Sequence, residues 1–177
     1  CVATCSLQDL WVFGIAATRD MDGDGFAEGI AVDAHFNDEG RIWILECPAN
    51  DSLQVVWYGT FDGHYWFDEY VAVGDVDGDS VEEFAFTTGT RLKLYRCTGP
   101  DSYEQMWETL CDRNALGFYD LNHDGRDEIL ARNGDTTHVY SYQPVAVEEP
   151  KRPVDPGTQA NLAPSIVQRG ATARLSG

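Results

Sequence analysis

Short apolar runs alternate with acidic turns along most of this chain. Pairs of runs flank three acidic segments, entering at residues 14–17, 70–73 and 116–119 and leaving at 29–32, 84–86 and 129–131. Each run is three or four residues long, which is typical of strands and too short for helices. The pattern therefore predicts three β-hairpins, each turning through an acidic loop.

Further runs of alternating or apolar character follow each hairpin. They predict a third strand three times and a fourth strand twice, at 41–47, 91–97, 137–142, 53–58 and 103–107. Four antiparallel strands per unit is the arrangement of a β-propeller blade. The predicted fold class is all-β, with about three blades spanning roughly residues 9–58, 66–108 and 114–142 of a repeat domain over 1–142.

The three acidic loops (residues 20–28, 75–83 and 120–128) share one design. Oxygen-bearing side chains occupy positions 1, 3, 5 and 9 of each, the arrangement that a hard cation such as calcium needs. Position 7 is expected to bind through its carbonyl. The predicted side-chain ligands are Asp20, Asp22, Asp24, Glu28, Asp75, Asp77, Asp79, Glu83, Asp120, Asn122, Asp124 and Glu128, and the predicted carbonyl ligands are Phe26, Val81 and Arg126.

Calcium, at about three ions per chain, is the cofactor that these loops predict. Zinc prefers His and Cys, which occupy none of the ligand positions, and magnesium prefers a smaller octahedral shell with several waters. An EF-hand is excluded because its position 12, a bidentate Glu, is here Ala31, Phe86 and Ala131. We expect the ions to staple their own hairpins rather than to touch a ligand.

Position 6 of each loop is expected to need glycine for its turn. Gly25 and Gly125 supply it, whereas Ser80 takes its place in the second loop, the one loop that departs from the glycine pattern. His123, at a non-ligand position of the third loop, is expected to face solvent.

The unit of strand, acidic loop and strand resembles the FG-GAP/VCBS repeat of integrin-α-type β-propellers. In that family a loop of the form Asp-x-Asp-x-Asp-Gly-x-x-Asp/Glu joins the first two strands of a blade. The resemblance covers about residues 9–142 and implies calcium-binding propeller blades. Closed propellers have about four to eight blades. The chain is thus a piece of a longer propeller, or its edges are completed by another copy or by its own tail.

Composition limits the partners. The net charge of −18 over 177 residues argues against nucleic acid and anionic membranes as partners. No apolar run approaches the roughly 20 residues of a transmembrane helix. Weak calcium sites fill only at the millimolar concentrations found outside cells, so a secreted or extracellular location is predicted, including attachment to the cell surface. The chain is either processed or an internal fragment.

The five cysteines agree with an oxidising compartment, and their odd number leaves at least one outside any intrachain pair. The preferred disulfide is Cys97–Cys111, which would close the predicted hairpin around Trp107, followed by Cys1–Cys5. A lipid on Cys1 is an alternative.

A proline-rich linker is predicted at 143–160, followed at 161–177 by a tail strand or the start of another domain. The segment from Asn161, with its Arg169-Gly170-Ala171-Thr172 run, resembles the opening of a bacterial secretion-sorting domain. An alternative is strand donation, in which residues 171–175 or 145–147 pair with an open edge of a neighbouring subunit.

No motif for nucleophilic, acid–base or phosphate chemistry is present, because the clustered carboxylates belong to the loops. We predict a non-enzymatic extracellular calcium-binding protein in adhesion or cell-surface structure, with a protein or glycan ligand or further copies of itself as partners. Open strand edges would allow a homo-oligomer. The alternatives are a self-assembling filament subunit and an accessory domain of a larger secreted enzyme, in which the aromatics of residues 57–68 would stack on sugars if they are not core.

Overall fold

A computed structural model describes residues 12–34, 39–49, 52–62, 70–88, 90–111, 116–143 and 165–174. Within these ranges the chain is all-β, with twelve strands and no helix. The strands are β1 (Val12–Ala17), β2 (Glu28–Ala34), β3 (Glu39–Ala49), β4 (Ser52–Asp62), β5 (Val71–Gly74), β6 (Glu83–Thr88), β7 (Arg91–Gly99), β8 (Ser102–Leu110), β9 (Leu116–Tyr119), β10 (Glu128–Asn133), β11 (Thr136–Gln143) and β12 (Ser165–Arg174).

The strands form three antiparallel four-stranded sheets. The first sheet runs β1-β2-β3-β4, the second β5-β6-β7-β8 and the third β9-β10-β11-β12, each with its neighbours hydrogen-bonded in that order. The eleven strands predicted from the sequence are confirmed, most of them longer than predicted by two to five residues. Each acidic loop joins the first two strands of its sheet.

The tail supplies the fourth strand of the third sheet. β12 pairs antiparallel with β11 of its own chain, with Tyr142 opposite Ile166 and Thr136 opposite Arg174. The sequence left open how the edges of the sheets are completed. At the edge of the third sheet, the chain's own tail completes it. The predicted linker lies outside the described residues apart from Gln143, which ends β11.

The second sheet is packed between the other two. Six residues of β6 are all buried; Phe84 and Phe86 belong to a core cluster shared with the first sheet, whereas Ala85 belongs to a cluster shared with the third. This follows from strand geometry, because successive side chains point to opposite faces. The large side chains therefore face the first sheet and the small one faces the third.

Strands β1, β5 and β9, which lead into the loops, lie side by side, with β5 in contact with both others. Gly74 at the end of β5 is required by this approach, since a Cβ there would lie 2.4 Å from Cβ of Phe118 on β9. The three acidic loops are therefore gathered in a row at one end of the sheets.

The predicted Cys97–Cys111 disulfide is wrong. Both residues are thiols; Sγ of Cys97 donates to the carbonyl of Gly99 at 3.3 Å and Sγ of Cys111 to that of Arg132 at 3.4 Å. The β7–β8 register explains why, because Cys97 lies opposite Tyr103 near the turn, whereas Cys111 follows β8 at the far end of the hairpin. Cys1 and Cys5 lie outside the described residues.

Two of the aromatics considered for sugar binding belong to the core. The ring of Trp57 lies 5.7 Å from that of Tyr103, and Phe61 is 5% exposed against Phe86. Residues 63–69 lie outside the described ranges. Nowhere in the described part of the chain is there a helix long and apolar enough to cross a membrane.

Candidate metal sites

The three loops are wound by the same hydrogen bonds. The carboxylate at position 1 accepts two main-chain N–H groups; Asp20, for example, accepts those of Gly23 at 2.7 Å and Gly25 at 2.8 Å. The glutamate at position 9 reaches back to the N–H of position 2, as Glu28 does to Met21 at 2.9 Å. The second loop repeats these contacts. In the third loop the N–H of Asp124, at position 5, takes the place of the position-4 N–H as a donor to Asp120, and the other contacts are the same.

The position-7 residues donate their N–H groups to the position-5 carboxylates. These contacts are 2.8 Å for Phe26, 2.8 Å for Val81 and 3.0 Å for Arg126. Their role as carbonyl ligands stays a prediction. His123 is exposed, as predicted.

Positions 4 and 6 of every loop adopt left-handed backbone. The φ angles are 82° at Gly23, 82° at Gly78, 61° at His123, 100° at Gly25, 73° at Ser80 and 85° at Gly125. Position 6 therefore has the left-handed turn for which glycine was predicted, and position 4 has it too. Ser80 and His123 are the two loop residues that hold this conformation with a Cβ.

We expect Ser80→Gly to stabilise the protein by about 0.5–1 kcal/mol, because left-handed backbone costs an L-residue about 1–2 kcal/mol and glycine loses part of that gain to chain entropy. Urea denaturation monitored by fluorescence measures the change. Ser102→Gly is the matched control, since Ser102 opens a strand without positive φ and should lose stability. Equal effects of the two substitutions would contradict the strain at Ser80.

The first loop brings its four acids together. One carboxylate oxygen from each of Asp20, Asp22, Asp24 and Glu28 lies within 4.8 Å of the others. Glu28 is 2% exposed; its Oε2 accepts hydrogen bonds from Met21 N and Thr18 Oγ1, whereas its buried Oε1 accepts none from the described residues. Burial raises the pKa of Glu28. A buried anionic oxygen without a partner is costly, and a cation would supply one.

The second loop gathers three acids. Oxygens of Asp75, Asp77 and Glu83 lie within 4.8 Å of one another, and Asp79 is outside this group. Burial raises the pKa of Glu83 to about 8 and also raises that of Asp77. A cavity of about 470 Å³ extends from here to the first loop, and Arg96 is the basic residue that lines it.

The third loop satisfies its glutamate with neutral groups. Oε1 of Glu128 accepts from Asn122 Nδ2 at 2.7 Å and Ser141 Oγ at 3.2 Å, and Oε2 accepts from Leu121 N at 3.0 Å. No acid cluster of the kind seen in the first two loops forms within residues 116–143. Asn122 stands where the other loops carry aspartate. Its amide thus gives Oε1 of Glu128 a partner, which a cation would otherwise provide.

Asn122→Asp should make the third loop resemble the other two. We expect metal-free stability to fall by about 1–3 kcal/mol, because Glu128 loses a donor and gains a neighbouring negative charge. We expect divalent-cation affinity at this loop to rise, because a carboxylate replaces an amide. Thermal unfolding with and without calcium measures both; Asn122→Ser, which removes the amide without adding charge, is the control and should lose stability without gaining affinity.

The loops are tethered to one another by their position-8 acids. Glu82 of the second loop accepts from the N–H of Arg19, next to the first loop, at 2.8 Å. Asp127 of the third loop accepts from the N–H of Asp75 at 3.1 Å and returns its own N–H to the Asp75 carbonyl at 2.7 Å. Position 8 of the first loop is Ala27, which has no carboxylate to make such a tether.

Two residues that the sequence did not single out join Asp22. Oxygens of Asp22, Glu46 and Asp101 lie within 4.8 Å of one another. Glu46 is 2% exposed, and burial together with the surrounding acids raises its pKa to about 7. The alternation of β3 was the available signal, because it places Glu46 on the same face as the buried Ile42 and Ile44.

No protein-family model matches the chain, and no curated protein matches it in sequence. The geometry therefore carries the functional argument. It gives a β-rich chain whose acidic clusters could hold metal ions.

Proposed function

We propose that this chain is a non-enzymatic, calcium-stapled β-repeat protein that serves outside the cell in adhesion or as a component of a surface structure. One observation carries the proposal: the buried Oε1 of Glu28, without a partner among the described residues, converges with three aspartates of the same loop. An all-oxygen, strongly anionic ligand set favours calcium over zinc.

The role of the ion is to staple a hairpin. The loop residues follow β1 and precede β2, so a cation bound by both ends of the loop fixes the two strands at their turn. Each sheet with its loop is interpreted as a blade of the FG-GAP/VCBS type. The loop carboxylates accept hydrogen bonds from the main-chain N–H groups of their own loops, which supports a structural rather than a catalytic role.

An extracellular location follows from the chemistry of such a site. Exposed loops that keep water ligands bind calcium weakly, and weak sites fill at extracellular concentrations. Three divalent ions would offset about six units of the net charge of −18. The surface left acidic after calcium binding suits a soluble or surface-displayed protein.

The test is the thermal unfolding of metal-free protein with added calcium or magnesium, followed by circular dichroism. Calcium at 100 times its Kd should contribute about 2.7 kcal/mol per site, and magnesium should contribute less. Asp20→Asn, at position 1 of the first loop, should lose part of the calcium effect, whereas Asp135→Asn, in the exposed β10–β11 turn, should retain all of it. Identical melting temperatures with and without calcium would refute the proposal.

A second candidate is a self-assembling subunit, favoured by the position of β12. This strand completes the third sheet but is separated from β11 by residues 144–164, so the same strand could instead complete the sheet of another copy. Light scattering on the full chain and on a variant without residues 144–177 distinguishes the two. Oligomers formed by the full chain and lost in the variant support exchange; a monomeric full chain rejects it.

A further inference from the structure

The three sheets place different residues opposite the position-9 glutamate. Glu83 lies opposite Arg96 on β7, one residue beyond the paired Phe84 and Tyr95; the guanidinium of Arg96 donates to Oε1 of Glu104 at 2.6 and 3.0 Å and lines a cavity with Asp77 and Glu83. Glu128 faces Ser141, whose hydroxyl donates to it at 3.2 Å. The second sheet thus has a basic residue opposite this buried acid, and the third sheet has a hydrogen-bond donor there.

In the first sheet, the residue opposite the position-9 glutamate is another acid. Glu28 on β2 pairs directly with Glu46 on β3, and both side chains are 2% exposed. Each has a buried Oε1 that accepts no hydrogen bond from the residues that the structure describes. Like charges directly opposite each other destabilise a sheet, and burial increases the cost. Among the described residues no donor reaches Oε1 of Glu46, so a cation or a proton is needed there.

The second sheet contributes a further acid to this group. Asp101, in the turn between β7 and β8, donates its N–H to Oδ2 of Asp22 at 2.9 Å and holds a left-handed φ of 52°. This contact places its carboxylate beside those of Asp22 and Glu46. The hydroxyl of Tyr103, 8% exposed and without a partner in the described ranges, lies in the field of Glu28, Asp22 and Glu46.

We propose that Asp22, Glu46 and Asp101 bind a divalent cation of their own, a hard ion such as calcium, which bridges the first sheet to the β7–β8 turn of the second. Three carboxylates are a suitable charge for such an ion, and the exposure of Asp101 leaves room for water ligands. Asp22 belongs both to this group and to the acid cluster of the first loop. Glu46 and Asp101 belong to none of the three loops.

The bridging ion would place positive charge beside the paired acids of the first sheet, where the second sheet carries Arg96 on its third strand. It also adds a link between the sheets, because its ligands come from β3, from the first loop and from a turn about 80 residues further along the chain. The site is therefore a staple between units, whereas each loop is a staple within one.

The experiment counts bound calcium per chain by equilibrium dialysis at pH 8 with saturating calcium. Asp101→Asn retains the N–H that contacts Asp22 but removes the charge, and Glu46→Gln is the second variant. Asp135→Asn, an exposed aspartate in another turn, is the matched control. We expect the first two variants to bind one ion fewer than the control, and circular dichroism verifies that each is folded.

The outcomes separate this proposal from the loop sites. If wild-type protein binds calcium and Asp101→Asn binds as many ions as Asp135→Asn, the bridging site is refuted while the loops stand; a proton held between Glu28 and Glu46 would give this result. If Asp20→Asn and Asp101→Asn each bind one ion fewer and the double variant binds two fewer, the two sites are distinct, as proposed. If wild-type protein binds no calcium, both proposals fail.

Discussion

Phe84→Ala lowers the free energy of unfolding by about 3–5 kcal/mol, the usual cost of truncating a buried phenylalanine. The side chain is fully buried in β6, stacked on Tyr95 with ring centroids 5.4 Å apart and in edge contact with Tyr103 at 5.8 Å. Because it lies in the cluster that joins the first two sheets, the cavity cannot close without moving one of them. Urea denaturation of metal-free protein measures the loss.

Leu110→Ala is the control for this substitution. Leu110 ends β8 and is 67% exposed, so its truncation should cost no more than about 0.5 kcal/mol. Comparable losses for the two variants would mean that the first and second sheets do not share a core.

Metal-free protein loses stability as the pH rises from 5 to 8, by an amount on the order of 3–4 kcal/mol. Burial raises the pKa of Glu83 from its ordinary 4.5 to about 8. Between these values the folded state holds a proton that the unfolded chain has released, so raising the pH favours unfolding. Glu46, with its pKa raised to about 7, acts in the same direction. Denaturation at several pH values, on protein stripped of metal, measures the slope.

Glu83→Gln should reduce this slope, since the amide does not titrate, and Asp135→Asn, at an exposed turn position, should leave it unchanged. Added calcium should flatten or reverse the slope, because it binds the ionised carboxylates and makes deprotonation favourable. Metal-free stability that rises from pH 5 to pH 8 would contradict the burial of Glu83 as a source of strain.

The strands were predictable because their causes are local. Short apolar runs beside acidic turns identified six strands and the alternating or apolar runs that follow them identified five more, and neither pattern needs a distant partner. The partner of β12 was not predictable, since the pattern of residues 165–174 does not encode which of several open edges it joins. The absent Cys97–Cys111 bridge is a similar case, because distance along a hairpin depends on a register that the cysteines do not set.

The loops show the same division. Their ligand positions follow from a repeated motif, but the motif does not reveal that Glu128 is satisfied by Asn122 and Ser141 while Glu28 is not. That difference depends on which residue of the third strand lies opposite. Asp101 was invisible in the sequence for a stronger reason, since its site forms only when two sheets meet.

The tethers made by Glu82 and Asp127 have a thermodynamic consequence. A cation that orders the second loop also fixes Glu82 against Arg19 and fixes Asp75 against Asp127, so part of the entropy of ordering the neighbouring loops is already lost when they bind. Such coupling is reciprocal between the sites. The loops would then fill with positive cooperativity, with the middle one as the member through which the outer two influence each other.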